Sequence, residues 1–192
     1  MTIAMGLYFF AIAFVLAHLE IQIEGPHGWA AKLPTWRWDG PRVIRWAGKP
    51  ITGYHVCLMS FILLFIHLPL VYLGFSLERE AELLSLFFML AVFWDFLWFV
   101  CNPHFGLARL RAGNVWWFRS WTLGLPSCYF SGLALSLAIY SATVLLPGGP
   151  AWTDRLARWG TVLGVFLAPT LLTVAIIAVA SRRRPAPAPA ND

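Results

Sequence analysis

Five long apolar segments constrain this chain more than any other feature of its sequence. A helix needs about 20 apolar residues to cross the ~30 Å hydrocarbon core of a bilayer. Because 59% of the residues are hydrophobic and only 12% are charged, the chain is also too apolar for the wetted surface of a soluble domain. The sequence therefore predicts an all-α polytopic membrane protein with five transmembrane helices, at about residues 3–23, 52–75, 82–101, 127–147 and 159–180.

The five segments are expected to form one unit. Residues 1–181 read as a single integral-membrane helical bundle, and residues 182–192 as a disordered tail that is first basic and then rich in Pro and Ala. The N-terminus lacks a basic n-region and a small-residue cleavage site, and its apolar stretch runs into His18 and Glu20, so we expect a retained signal-anchor helix. The fourth and fifth segments carry small residues that let membrane helices approach closely, namely Ser131, Gly132, Ser136, Ser141, Gly160 and Gly164.

The distribution of Lys and Arg predicts the orientation. Eleven of the 14 cationic residues lie in the connections 24–51 and 102–126 and in the tail. By the positive-inside rule these parts are cytoplasmic and the N-terminus is outside. We therefore expect a multi-pass protein of a bacterial-type cytoplasmic (inner) membrane. The net charge of +5 reflects this topology, and it does not imply a nucleic-acid partner.

Both predicted cytoplasmic loops are aromatic as well as basic. In the first loop, Trp36 and Trp38 precede the turn pair Asp39-Gly40, and the apolar residues of 43–46 follow it, which predicts a short hairpin on the membrane face. The second loop, 102–126, is amphipathic and is expected to contain an interfacial helix. The tryptophans of these loops suit the aromatic belt of a membrane protein, a ligand-stacking role, or the docking of a protein partner.

Scarce ionisable residues from three helices are predicted to meet at the cytoplasmic leaflet. The first helix carries Glu20 and Glu24, which are four residues apart and share a face. The second helix enters at that level with His55, and the third returns to it with Asp95 and then His104. Ionisable groups in a spanning helix are costly and each needs a partner or a function.

Carboxylates and imidazoles from several helices can hold Fe, Mn or Zn. The predicted ligands of a divalent transition metal are Glu20, Glu24, His55, Asp95 and His104, with His27 and Asn102 as second choices. Within this set, Glu24, Asp95 and His104 are the candidates for catalytic acid and base chemistry. The alternative is that Glu20 and Glu24 are interfacial carboxylates neutralised by Lys32, Arg37 or Arg109.

His67 and the three cysteines are predicted to stand apart from this site. His67 lies twelve residues after His55, about 18 Å along a helix, so the two cannot share a metal. A hydrogen bond to a hydroxyl or backbone carbonyl near Pro69 is one interpretation of His67, and ligation of a haem or pigment is the other. Cys57, Cys101 and Cys128 lie in or beside apolar runs without a CxxC motif and are expected to stay reduced.

Three functions are compatible with these features. The first is a metal-dependent membrane enzyme acting on a lipid or other hydrophobic substrate, whose anionic head group the basic loops would bind through Arg37, Arg42, Arg109 and Arg119. The second is a non-catalytic subunit or assembly partner of a larger complex. The third is proton or ion transport through Asp95 and His67. Five histidines are too few for the eight-histidine sites of membrane desaturases, and no phosphate-binding glycine loop or nucleophile motif is present.

Overall fold

Five long helices make up most of this protein in a computed structural model that describes residues 1–39, 49–146 and 151–182. They are α1 (Ile3–Glu24), α2 (Gly53–Leu73), α3 (Leu77–Cys101), α4 (Ser127–Ala142) and α5 (Trp152–Arg182). A short 3₁₀ turn over Thr143–Leu145 extends α4. Each of the five is long and apolar enough to cross a membrane, which confirms the all-α architecture. The predicted tail beyond residue 182 lies outside the described residues.

Two helices begin earlier than hydropathy predicts. Helix α3 starts at Leu77, where Ser76 caps it by accepting a hydrogen bond from the backbone N–H of Arg79 (3.1 Å). Helix α5 starts at Trp152 and includes Arg155 in its first turns. Glu and Arg are good helix formers, so a helix continues beyond the apolar segment that crosses the membrane. Hydropathy predicts the span and not the full helix.

The loops contain two short antiparallel ladders. Strand β1 (Arg37–Trp38) pairs with β2 (Ile51–Thr52), and β3 (Trp121–Thr122) pairs with β4 (Leu125–Pro126). The predicted partner strand at 43–46 lies outside the described residues. The predicted interfacial helix in 102–126 is wrong, because the only helical turn there is a 3₁₀ segment at Leu107–Arg109. Glycines at positive φ, Gly106, Gly113 and Gly124, break the backbone into turns instead.

Helix α3 is the central helix. Buried residues make up 61% of its apolar window, against 11–28% in the other four spans, and it packs against all four. Its approach to α4 depends on small residues: Ser136 Oγ donates to the carbonyl of Ser85 (2.8 Å), and a Cβ on Gly132 would lie 2.7 Å from Val92 Cγ2. The predicted packing role is thus confirmed for Gly132 and Ser136. A Cβ on Gly160 or Gly164 would meet nothing within 4 Å in the described structure.

Three glutamates at the start of α3 bind the other helices at the end opposite the long loops. Glu78 accepts a hydrogen bond from the buried Arg155 of α5 (2.6 Å). Glu82 contacts the amino group of Met1, next to α1. Glu80 lies 3.1 Å from Nε2 of His67 on α2. These residues fix three neighbours to the central helix.

His67 takes the first of its two predicted roles. Its Nδ1 lies 2.6 Å from the carbonyl oxygen of Leu63, and its Nε2 contacts Glu80. The backbone partner confirms the hydrogen-bond interpretation, and the carboxylate partner was not predicted. Both ring nitrogens of His67 are therefore in contact with protein groups in this structure.

Candidate metal centre and cavity

The candidate site forms where α1 ends and α2 begins. Helix α1 ends at Glu24 because Gly25 adopts a positive φ of 58° and its N–H bonds back to the carbonyl of Ile21 (2.9 Å). Helix α2 starts after Thr52, whose hydroxyl oxygen accepts the backbone N–H of His55 (3.2 Å). The last turn of α1 and the first turn of α2 thus present their side chains at one level, as the sequence predicts.

Glu20, Glu24 and His55 come close enough to share one ion. One potential ligand atom from each side chain lies within 4.8 Å of the other two. Nε2 of His55 is 3.8 Å from Oε1 of Glu20 and 3.8 Å from Oε1 of Glu24. Ligands held at ~2.1 Å around a tetrahedral ion lie about 3.4 Å apart, so a small closing movement gives coordination distances.

The chain after α1 folds back over Glu24. The carboxylate of Glu24 accepts the backbone N–H of Ala30, and the ring of Trp29 stacks on His55 with centroids 3.9 Å apart. Trp29 is held in turn by a hydrogen bond from its Nε1 to the carbonyl of Pro50 (2.9 Å). Trp29 and Ala30 both have φ near +50°, a strained conformation that costs of order 1–3 kcal/mol per residue. The contacts of Trp29 and Ala30 with His55, Pro50 and Glu24 therefore have to offset this cost.

A cavity of about 400 Å³ opens beside these residues, a size typical of small-molecule sites. Acidic and basic side chains line it, and its walls are otherwise mainly aromatic or aliphatic. The acidic and basic residues are Glu20, Glu24, Lys49, His55 and Asp95, and the aromatic residues include Trp29, Phe88, Trp94, Trp98, Trp117 and Phe118. Such a cavity suits a hydrophobic molecule that carries a polar group.

Asp95 lines the cavity but does not belong to the cluster of Glu20, Glu24 and His55. Its carboxylate accepts a hydrogen bond from the hydroxyl of Tyr129 on α4, and both residues line the cavity. Among the described residues, the grouping with metal-binding geometry contains only Glu20, Glu24 and His55. Asp95 is thus a buried carboxylate of the cavity that lies outside the group of three.

Comparison of the chain with protein-family models, curated proteins and solved structures finds no match. Function depends on the chemistry of a site more than on the fold that carries it, so the donor set, the cavity and the groups that surround them bear on what this protein does.

The structure does not bring the remaining predicted ligands to the site. His104 is exposed, because α3 ends at Cys101 and the chain turns at Asn102 and Pro103. Asn102 is buried, but its amide donates to the carbonyl of Gly25 (2.9 Å) and accepts the N–H of His104 (2.9 Å). His27 donates its backbone N–H to the carbonyl of Glu24 (3.3 Å) while its side chain is exposed. The seven-residue spacing of Asp95 and Asn102 gives a shared helix face but not a shared site.

Neutralisation of the two glutamates by the predicted cations is not observed. Within residues 1–39, 49–146 and 151–182, no Lys or Arg nitrogen lies within 4.0 Å of Glu20 or Glu24. Arg37 donates to the carbonyl of Ala30 instead, and Lys32 and Arg109 are exposed.

Lys49 is a site residue that the sequence reasoning missed. It lines the cavity, and its Nζ lies 3.4 Å from the centre of the Trp29 ring. Burial lowers the pKa of Lys49, and the negative charges of Asp95, Glu20 and Glu24 partly offset that effect. A signal was available, since Lys49 is one of two lysines in the chain and stands directly before the second apolar segment.

Proposed function

We propose that this protein is an integral-membrane enzyme that uses a divalent transition metal to act on a lipid or other hydrophobic substrate. The observation that carries the proposal is the closeness of Glu20, Glu24 and His55, within 4.8 Å of one another, at the polar part of a largely apolar cavity. Structural metal sites are normally closed by protein ligands, whereas catalytic sites keep a position open for water or substrate. Three ligands beside a cavity match the second pattern.

The ligand chemistry supports Zn, Fe or Mn as the ion. One imidazole and two carboxylates form a mixed nitrogen and oxygen set, which suits borderline and hard divalent cations. Two carboxylates close together in an apolar surrounding are costly unless a cation neutralises them. When bound, such an ion would supply Lewis-acid polarisation or an activated water.

The protein's own residues would supply orientation and proton transfer. Asp95 is the proposed general acid or base, with Tyr129 holding its carboxylate in place. The stacked ring of Trp29 would keep His55 in its ligating orientation. Of the three predicted catalytic residues, Glu24 is proposed as a ligand, Asp95 keeps its predicted role, and the exposed His104 has no role in this proposal.

The aromatic walls of the cavity and the cationic residues of the loops support the proposed substrate class and the proposed membrane. The aromatic walls favour a hydrophobic body, and the exposed Arg109 and Arg119 on the second loop would attract an anionic head group. The bias of Lys and Arg toward the two long loops supports placing the site at the cytoplasmic leaflet of an inner membrane.

The test is the metal content of the purified protein and two histidine variants. We expect mass spectrometry of the bound metal to give one ion per chain in the wild type and little in His55→Ala, since one of three ligands is lost. His104→Ala is the matched control, because it removes an exposed imidazole from the same end of the bundle. Wild-type metal in His55→Ala, or equal losses in both variants, would contradict the proposal.

A further inference from the structure

Lys49 is the cavity residue that the proposed metal chemistry does not use. The chain has only two lysines, Lys32 and Lys49. Lys32 is exposed, whereas Lys49 is partly buried and lines the cavity. Burying an ammonium group that is not paired with an anion is costly, so a lysine in such a place is expected to have a structural or chemical role.

Aromatic rings, rather than an ion pair, hold the amine of Lys49. Its Nζ lies 3.4 Å from the centre of the Trp29 ring and 5.2 Å from that of Phe118. No carboxylate oxygen of the described chain is within 4.0 Å of this nitrogen. Asp95, Glu20 and Glu24 nevertheless line the same cavity. The amine thus shares the cavity with three carboxylates and, among the described residues, forms an ion pair with none of them.

We propose that Lys49 is a nucleophilic amine that condenses with the carbonyl group of a hydrophobic aldehyde or ketone bound in this cavity. Lysines that are desolvated in apolar pockets are the ones that form Schiff bases with carbonyl substrates. This function goes beyond the proposed metal chemistry, and it does not require the metal.

The condensation is balanced without any further reactant. The lone pair of the neutral Lys49 amine attacks the carbonyl carbon, the C=O π bond breaks, and the oxygen takes up the proton that nitrogen releases. Loss of water from this carbinolamine then forms the C=N bond. One amine and one carbonyl compound give one imine and one water, and no oxidation occurs. Asp95, which lines the same cavity, is the acid that would protonate the departing hydroxyl.

The cavity also contains a hydrogen-bond donor that lacks a protein acceptor. Nε1 of Trp98 is buried and has no partner in the part of the chain that the structure describes, and Trp98 lines the cavity. Buried donors normally have an acceptor. The carbonyl oxygen of a bound aldehyde or ketone is an acceptor, and the apolar walls suit its hydrocarbon body.

The experiment traps the imine with decanal and sodium cyanoborohydride on the full chain in detergent and maps the modified residue by peptide mass spectrometry. We expect Lys49 to be alkylated over Lys32 by about tenfold or more, the factor expected from burying roughly two methylene groups of the probe. Glyceraldehyde has no apolar body to bury in the cavity, so its preference for Lys49 should be smaller than that of decanal. Because both lysines are compared in one wild-type sample, the result does not depend on a variant that folds.

Two further arms keep this proposal separate from the metal proposal. Lys49→Arg should abolish the trapped product at position 49 while Lys32→Ala leaves it unchanged. Treatment with EDTA should leave Lys49 trapping intact, since the condensation does not use the metal. Protein that is purified without metal and still traps decanal would support Lys49 and contradict only the metal site. Alkylation confined to Lys32 and the terminal amine, or equal alkylation of both lysines by decanal, would overturn the assignment of Lys49.

Discussion

Oγ1 of Thr52 lies 2.7 Å from Nδ1 of His55 in the first turn of α2. The same oxygen accepts the backbone N–H of His55 (3.2 Å), and a hydroxyl oxygen can accept two hydrogen bonds. A metal-ligating histidine usually donates its second ring N–H to a neighbouring acceptor. Thr52 therefore directs Nε2 of His55 toward Glu20 and Glu24, and it links the start of a helix to the candidate metal centre.

The hydroxyl of Thr52 should contribute to metal affinity. We expect Thr52→Val to lower the affinity for Zn²⁺ by about 10- to 100-fold, the usual effect of removing a group that orients a ligand. Competition with a fluorescent chelator measures it. Thr52→Ser, which keeps the hydroxyl, should bind as the wild type does, and a loss of the same size in Thr52→Ser would show that the hydroxyl is not responsible.

Asp95 should affect proton transfer and leave metal binding unchanged. Because Asp95 is outside the group of three ligands, we expect Asp95→Asn to retain the wild-type metal content, while Glu20→Gln loses it. Once a substrate is known, Asp95→Asn should lower turnover by about 10²- to 10⁴-fold, the usual contribution of a positioned acid or base. Loss of metal from Asp95→Asn would instead make Asp95 a ligand.

The close approach of Gly28 to the cavity wall can be tested against a glycine of similar φ. Gly28 and Gly106 have φ of 59° and 63°, values that alanine rarely adopts, so both substitutions strain the backbone. A Cβ on Gly28 would lie 2.4 Å from Cη2 of Trp117, whereas one on Gly106 would meet nothing within 4 Å. We expect Gly28→Ala to lower the unfolding free energy by about 1–3 kcal/mol more than Gly106→Ala, measured by denaturation in detergent. Equal losses would mean that the Trp117 contact is not formed.

The buried guanidinium at the opposite end of the bundle should stabilise the fold. Arg155 is 1% exposed and donates to Glu78, whereas Arg158 on the same helix is exposed. Since Glu78 is half exposed, water screens the pair, and we expect Arg155→Ala to cost about 1–3 kcal/mol. Arg158→Ala should change the thermal midpoint little. A similar effect of both substitutions would remove the special role of Arg155.

The reactivity of Lys49 should depend on pH in a different way from that of Lys32. A lysine reacts as the neutral amine, and burial lowers the pKa of Lys49 against the opposing charges of Asp95, Glu20 and Glu24. At a pH below the ordinary lysine pKa of about 10.4, a larger fraction of Lys49 is therefore neutral. We expect the ratio of Lys49 to Lys32 alkylation by decanal to fall as the pH rises toward that value. A ratio that rises with pH would contradict the lowered pKa.

Much of the fold follows from local sequence, but the loop structures do not. Hydropathy predicts five spans because the bilayer requires about 20 apolar residues per helix, and all five are found. The interfacial helix predicted in 102–126 fails because glycines with positive φ and the β3–β4 pairing determine the backbone there. Amphipathic composition alone does not distinguish those outcomes.

By itself, the sequence determined that Glu20 and Glu24 share a helix face and that His55 lies at the same level, since a regular helix and an apolar span leave no other placement. Only the tertiary structure decided that His104 lies outside the site and that Lys49 lies within it. The physical reason is that the direction in which a chain leaves a helix depends on contacts between residues far apart in sequence. Two examples are the hydrogen bond from Asn102 to Gly25 and the contact between Nζ of Lys49 and the ring of Trp29. No local pattern encodes those contacts.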